Sequence, residues 1–431
     1  MTQTFPKRKA FSRWLEYATY FVLLTLLTNA FFGMWMRLNE GVGLASAEGD
    51  PITRSLLLGV YLLATLWGIG SLPRVVQLFL RAPLLALLLM WALLSIGWSE
   101  VPEVTLRRLL GVILTSLAAG FLITRYSFKE LLSLFGWVFL VILGASFIVG
   151  WVLPDMGRMP ELRGESWAGV FIHKNSLGRF ALLGALIFSW LFFARRRGRI
   201  LWGLAVLLAL FLLYKSDSRS AQILTLVLLL WIGLFGLAWR LRRLWPAYLA
   251  AVALMTGGLG ISILLNLEAI AQLTGRDLTL TGRVPLWEIV LAYIQDRPFL
   301  GYGFGGFWLE DTYGLAVSRL AGWSVPHAHS GFLDLWLDLG AVGLGIGLLL
   351  LLVSLRYWWR VYMRTGSPEA LFWLALWAFS VLYNFVESNF LRSNNLIWFF
   401  IASSYLRGIS VLRVRDWDRR RPCSTSVASG E

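Results

Sequence analysis

Cysteine is nearly absent from this chain, since Cys423 is the one cysteine among its 431 residues. A single thiol excludes an intrachain disulfide and a metal site built from cysteines. Charge is also scarce: Asp, Glu, Lys and Arg make up 15% of the chain, whereas apolar residues make up 58%. A soluble fold has no way to bury so much apolar surface, so the composition indicates an integral membrane protein.

Uncharged apolar runs recur along the sequence and set the expected architecture. A run of about 20 apolar residues is long enough to cross a bilayer as a helix. The sequence therefore predicts an all-α polytopic membrane domain over residues 1–413 and a basic cytoplasmic tail over 414–431. About twelve spans are expected, at 14–33, 52–70, 78–97, 104–124, 131–153, 174–194, 200–214, 219–239, 246–265, 331–355, 369–387 and 394–412.

Most of the 39 Lys and Arg residues lie in alternate connections between these spans. Examples are the runs at 195–197, 240–243 and 356–364. Loops rich in Lys and Arg stay in the cytoplasm, so both termini are predicted to be cytoplasmic. The net charge of +15 follows from this topology and does not indicate binding to nucleic acid.

The longest connection, residues 266–329, falls on the outer side between the ninth and tenth spans. Long loops in compact proteins are usually functional or disordered. This one contains an amphipathic run at 285–294 and a run rich in glycine and aromatic residues at 301–308. We expect a folded outer cap with one or two helices near the membrane interface.

Two of the three histidines, His327 and His329, lie where this loop meets the tenth span. A helix starting near Ser330 would hold His329 at its N-terminal end, where the helix dipole disfavours the imidazolium. A neutral imidazole can act as a general base, although a structural histidine bonded to a carbonyl is an alternative. The two histidines and Asp334 form only a loose set without convincing spacing, so no metal is expected.

Two arginines on the outer side, Arg219 and Arg283, need an explanation because the topology rule disfavours basic residues there. One explanation is an interfacial side chain or an ion pair, such as Arg219 with Asp217. The other is a phosphate or diphosphate clamp, because a planar guanidinium grips two phosphate oxygens at once. A helix starting just after Gly282 would add backbone donors and a favourable dipole beside Arg283.

A second group of residues has weaker signals. Asp334 and Asp338 lie four apart at the start of the tenth span, where they could orient His329, pair with an arginine or be structural. A basic segment at another outer loop–helix junction contains His173, Lys174 and Arg179, which could extend a groove for a phosphate or a sugar. Asn175 could equally be a helix cap there, and residues 392–395 indicate a turn and an N-cap.

These residues resemble the O-antigen ligase and polysaccharide polymerase superfamily of bacterial envelope proteins. The ligase pattern His-[Asn/Ser/Gln]-x9-Gly-x-x-[Gly/Thr/Tyr] is met by His329, Ser330, Gly340 and Gly343. Further elements of the resemblance are Gly282-Arg283 with Trp287, Ser218-Arg219-Ser220, and the segment 173–179, which is similar to one in exopolysaccharide polymerases. A strict Arg-x-x-x-Leu pattern is not met, because residue 287 is Trp.

The resemblance implies a GT-C-like, inverting glycosyltransferase in the bacterial cytoplasmic membrane, with its active site on the periplasmic face. The donor would be a glycan on polyprenyl (undecaprenyl) diphosphate, so neither a nucleotide sugar, a metal nor another cofactor is expected. In this hypothesis His329 is the base, and Arg219 and Arg283 bind the diphosphate. His327, Asp334, His173, Lys174 and Arg179 are secondary contacts. Cap aromatics, among them Trp287, Tyr302 and Trp308, stack on sugars or simply pack.

The resemblance leaves the acceptor open. It is another lipid-linked repeat unit in a polymerase, which segment 173–179 favours, and lipid A core or a protein hydroxyl in a ligase. A flippase and a chain-length regulator are candidate partners in the membrane. A polysaccharide transporter or flippase is the alternative of another class, but it would favour paired half-repeats, which the sequence lacks.

Overall fold

A computed structural model describes residues 7–32, 51–159, 166–241 and 283–420. These residues are almost entirely helical. In chain order the elements are α1 (Lys7–Leu27), α2 (Pro51–Gly68), α3 (Leu72–Leu80), α4 (Pro83–Leu94), α5 (Pro102–Arg125), α6 (Phe128–Val152), α7 (Pro154–Gly157), β1 (Arg158–Met159), β2 (Ser166–Trp167), α8 (Lys174–Ala194), α9 (Arg199–Lys215), α10 (Arg219–Arg240), α11 (Arg283–Asp296), α12 (Gly314–Ala321), α13 (Gly331–Thr365), α14 (Pro368–Asn384) and α15 (Leu396–Arg420). The strands form one short antiparallel pair, a small departure from the all-α expectation.

Every predicted span overlaps a helix except 246–265, which lies outside the described residues. Within the described ranges, six helical runs are long and apolar enough to cross a membrane. They are Arg54–Leu80, Pro102–Arg125, Phe128–Val152, Lys174–Ala194, Arg219–Arg240 and Gly331–Thr365. The chain is therefore a mostly helical, polytopic membrane protein.

Local sequence sets several helix ends. The predicted span 78–97 is divided because Ala82 is non-helical and Pro83, which has no N–H to donate, starts α4. Helix α6 begins with a capping box, in which Ser127 and Glu130 each accept a hydrogen bond from the other's backbone N–H. Helix α14 ends at Asn384, three residues before the end of its predicted span.

Helix packing brings the start of α8 close to the end of α14. Helix α8 packs along α6 and α9, while α13 packs against α4, α14 and α15. The Tyr383 hydroxyl near the end of α14 donates to the Asn175 carbonyl at the start of α8, at 3.5 Å. The start of α8 therefore lies beside the loop that follows α14.

Residues 283–329, which we call the cap, have a hydrophobic core of their own. Leu286, Val290 and Ile294 recur at four-residue intervals and form the buried face of α11, as the amphipathic run predicts. They pack with aromatic residues of the glycine-rich run, including Tyr302 and Phe307. The cap is thus a folded unit rather than a simple connection.

The cap docks onto α13 where that helix is kinked. Gly340 has φ 66° and ψ −173°, so the regular helix is interrupted there. The freed carbonyls of Leu337 and Asp338 accept hydrogen bonds from the backbone of Tyr302 and Gly303, at 2.8 and 3.0 Å. The kink therefore provides the backbone acceptors that hold the cap.

Gly340→Ala is expected to destabilise the protein by at least about 2 kcal/mol, because its backbone conformation is strained for any residue with a Cβ. The new methyl group would also overlap the Phe299 carbonyl of the cap. Gly345→Ala is the matched control, since a Cβ at that position of α13 meets nothing within 4 Å. Thermal unfolding of the detergent-solubilised variants measures both effects. Equal midpoints for the two variants would contradict this view of the kink.

Candidate functional site

His329 lies in a strained position directly before α13. The Ser330 side chain caps this helix by accepting a hydrogen bond from the Leu333 N–H at 3.5 Å, so the predicted helix start is confirmed. His329 itself has φ 51°, in the left-handed region that few residues with a Cβ adopt. Such conformations persist where surrounding contacts enforce them, and they cluster at active sites.

The contact that holds His329 comes from a residue that sequence reasoning missed. Glu387, in the loop after α14, lies 3.3 Å from His329 Nδ1 through its Oε1 atom. Its other oxygen, Oε2, lies 3.6 Å from His327 Nε2. One carboxylate thus faces both histidines, whose ring centroids are 4.2 Å apart.

The loop that contains Glu387 is held by asparagines. Asn384 Oδ1 accepts a hydrogen bond from the Asn389 N–H at 3.0 Å, and the Glu387 N–H donates to the Tyr383 carbonyl at 2.9 Å. Asn389 Oδ1 in turn accepts from the Arg179 guanidinium at 2.8 Å. These bonds fix the carboxylate relative to both α14 and α8.

The hydrogen-bond pattern assigns the tautomers of the two histidines. His327 Nδ1 accepts from the His329 N–H at 3.2 Å, so in neutral His327 the proton is on Nε2, facing Glu387. In neutral His329 the proton is on Nδ1, which faces the same carboxylate. His329 Nε2 is then an acceptor, and it is buried without a partner among the described residues. A neutral imidazole with an unpaired acceptor nitrogen has the chemistry of a general base.

Burial and charge set the protonation states of His327 and Glu387. Burial lowers the pKa of His327 to about 3, and the charge of Arg392 adds to that effect against the opposing carboxylate of Glu387. Burial alone would raise the pKa of Glu387, but the hydrogen bond from His329 and nearby positive charge lower it. His327 is therefore neutral and Glu387 ionised near pH 7.

Three arginines act electrostatically on His327 or Glu387. The charges of Arg283, at the start of α11, and of Arg392, in the last loop, both act on His327. The charge of Arg179 acts on Glu387, and its guanidinium lies 5.5 Å from the Tyr383 ring. The sequence predicts binding roles for Arg283 and Arg179, but it indicates only a turn at Arg392.

The N-cap predicted at residues 392–395 is confirmed, since Asn395 Oδ1 accepts hydrogen bonds from the backbone N–H groups of Ile397 and Trp398.

Asp334 contacts the loop that contains His329 rather than the imidazole rings. Its Oδ1 accepts from the Ala328 N–H at 3.0 Å and from the Trp308 indole at 2.8 Å. The Trp287 indole donates to the Ala328 carbonyl at 2.9 Å. Trp287, Trp308 and Tyr302 therefore pack within the cap, as one of the two sequence interpretations holds.

The remaining predicted residues lie at the start of α8 and α10. Lys174 forms an ion pair with Asp217 at 3.1 Å. An ion pair with Asp217 is the structural explanation that the sequence offers for Arg219, and among the described residues Asp217 pairs with Lys174 instead. Arg219 begins α10 and is exposed; the preceding Ser218 donates to Asn175 Oδ1 at 3.1 Å. His173 is the N-cap of α8, where its Nδ1 accepts from the Asn175 N–H.

His327, His329 and Glu387 also have the spacing of a metal site, because one ligand atom of each lies within 4.8 Å of the others. Glu387, and not Asp334, is the third residue of this group. The positive charges of Arg179, Arg283 and Arg392 act on the same cluster and oppose a cation. The surroundings therefore favour an anionic ligand.

Comparison with known proteins gives two matches. Residues 204–346 match the family model described as O-antigen ligase. Over 247 residues the chain is 28% identical to the exopolysaccharide production protein ExoQ of Rhizobium meliloti (strain 1021). This alignment covers 52% of the chain and 54% of the relative, so the chain spans about half the length of that protein. The family match includes Arg219, Arg283 and His329.

The burial of His327 makes stability dependent on pH. Its pKa is lower in the folded protein, so the unfolded chain binds more protons between pH 6.5 and about 3. Stability should therefore fall as the pH decreases through this window, by up to about 1.4 kcal/mol per pH unit. His327→Asn should flatten the dependence in thermal unfolding. An unchanged slope in His327→Asn would contradict the assigned burial.

Proposed function

We propose that this member of the O-antigen ligase and polysaccharide polymerase superfamily transfers glycan from a polyprenyl diphosphate carrier to a hydroxyl acceptor. The supporting observation is His329, whose Nε2 is a buried acceptor while Glu387 holds its other ring nitrogen. Positive charge surrounds this base, as a diphosphate-linked donor requires. In this proposal the base and the anion site are adjacent.

In the proposed reaction, His329 Nε2 removes the proton of the acceptor hydroxyl as its oxygen attacks the anomeric carbon of the donor. The bond from that carbon to the diphosphate oxygen breaks, and polyprenyl diphosphate leaves with the electron pair. Attack opposite the leaving group inverts the anomeric centre. The negative charge of Glu387 stabilises the imidazolium formed on His329.

Arg219 and Arg283 are the proposed diphosphate ligands. They would bind the leaving group and stabilise the charge that grows on it as the bond breaks. Arg179 and Arg392 add positive charge around the same cluster. As secondary contacts, Lys174 pairs with Asp217 on the α8 side and His173 caps α8. His327 and Asp334 hold the backbone at residues 328–329.

The arginines would neutralise the diphosphate without a metal ion. We therefore propose a metal-independent reaction, in contrast to transferases that use a divalent cation to bind a diphosphate. Chelation of divalent ions by EDTA should leave the rate unchanged.

A polymerase is the favoured form of this activity, and its acceptor is a second lipid-linked repeat unit. The similarity to an exopolysaccharide production protein supports it. A ligase, which would use lipid A core, is the second candidate, supported by the O-antigen ligase match. The positive-inside pattern supports a site on the periplasmic face of the bacterial cytoplasmic membrane. A flippase and a chain-length regulator remain candidate partners.

His329→Ala is expected to lower the transfer rate by at least about 100-fold, because general-base catalysis contributes at least that much. The assay uses purified protein in liposomes with a lipid-linked repeat unit as the sole substrate, and products are separated on a gel. A ladder from wild type that is lost in the variant supports a polymerase. A wild-type product only after addition of lipid A core supports the ligase. Full activity of His329→Ala would refute the role of this base.

Arg283→Ala is expected to reduce transition-state stabilisation by roughly 2–4 kcal/mol, by analogy with the loss of an oxyanion donor. Arg283→Lys should keep the positive charge but not the bidentate contact with phosphate, so its transfer rate should lie between those of wild type and Arg283→Ala. Arg319→Ala removes an exposed arginine of cap helix α12 and is the control. Initial rates with the same lipid-linked donor measure all three, and full activity of Arg283→Ala would exclude a clamp at that position.

A further inference from the structure

Trp323 differs from the other tryptophans around the cap. The indole N–H groups of Trp287, Trp308 and Trp336 donate to Ala328, Asp334 and Pro298. Within the described ranges the indole N–H of Trp323 has no acceptor, and the residue is 39% exposed. A large amphipathic ring with an unused donor is suited to a ligand with both an apolar face and hydroxyl groups.

The ring of Trp323 lies next to the proposed base. Its centroid is 5.7 Å from that of the His329 imidazole, and the two planes are tilted by 40°. A molecule that places a hydroxyl at His329 would therefore have its adjoining atoms within reach of the indole. Trp323 thus lies beside the proposed base and not simply on the surface of the cap.

The backbone on both sides of Trp323 is fixed. Gly322 ends α12 with φ 78°, in the left-handed conformation that favours glycine, and its N–H donates to the Ser318 carbonyl at 3.0 Å. Beyond the tryptophan, the N–H of the buried Val325 donates to the Ser318 hydroxyl at 3.0 Å. The exposed indole is therefore presented by an ordered turn, which lowers the entropic cost of binding against it.

We propose that Trp323 is the stacking platform for the acceptor sugar. The C–H face of a pyranose would cover the exposed indole, and the indole N–H would donate to one of its hydroxyl groups. Because His329 takes the proton of the acceptor hydroxyl, the sugar in contact with Trp323 is the one that carries this hydroxyl. The inference rests on the proposed function and specifies which substrate this side of the site binds.

The main alternative is that Trp323 anchors the cap in the membrane interface, where tryptophan is also common. Leu320 of α12, 67% exposed and three residues away, would then act with it. The ring contact with His329 favours the sugar, because an interfacial anchor has no need to lie against the base. Leu320→Ala is therefore the matched control.

The first test uses the glycan released by mild acid from the lipid-linked repeat unit as a water-soluble acceptor, with the lipid-linked donor held constant. Trp323→Ala should raise the acceptor KM about five- to tenfold, with the donor KM and kcat little changed. Trp323→Tyr should recover part of this loss, and Leu320→Ala should match wild type. A KM unchanged in Trp323→Ala, or raised equally by Leu320→Ala, would overturn the inference.

The second test measures binding without catalysis. Saturation-transfer NMR with the same released glycan should show binding to His329→Ala that is weakened about five- to tenfold when Trp323→Ala is added. Equal binding by the single and double variants would refute the platform even if His329 is the base. Full transfer by His329→Ala would refute the proposed reaction, whatever the glycan binding shows.

Discussion

The pairing of Glu387 with two histidines is the interaction on which the proposed site depends. It joins the last loop of the chain to the loop before α13, 58 residues earlier. Without this carboxylate, neither the tautomer of His329 nor the direction of its free nitrogen would be fixed. The backbone of His329 is also unusual, with φ 51° in the left-handed region. The hydrogen bond between Asn384 at the end of α14 and Asn389 holds the loop that contains Glu387 in place.

The cap and the membrane helices are coupled through α13. The kink at Gly340 leaves backbone carbonyls that accept hydrogen bonds from the cap. At the start of the same helix, Ser330 is the N-cap and directly follows His329. Asp334, near the start of α13, adds a second contact with the cap, because it accepts hydrogen bonds from Trp308 and from Ala328. The first turns of α13, between His329 and Gly340, therefore contact the cap at both ends.

Features that lie within one helix could be predicted from the sequence. The apolar runs, the start of α13 and the buried face of α11 follow from periodicity and capping residues. Glu387 could not be predicted, because its partners lie far away in sequence and a single acid in a short loop has no pattern. The positions of Arg392 and Trp323 in the folded protein could not be predicted for the same reason. The predicted span 246–265 and Gly282 lie outside the described residues and stay predictions.

The most direct test of the role of Glu387 is the pH dependence of the transfer rate in wild type and Glu387→Gln. Removing the carboxylate takes away the charge that stabilises the imidazolium of His329. The account predicts that the acidic limb of the profile moves to lower pH and that the maximal rate falls by about tenfold or more. An acidic limb at the same pH, with an undiminished maximal rate, would contradict the proposal that Glu387 positions and charges the base.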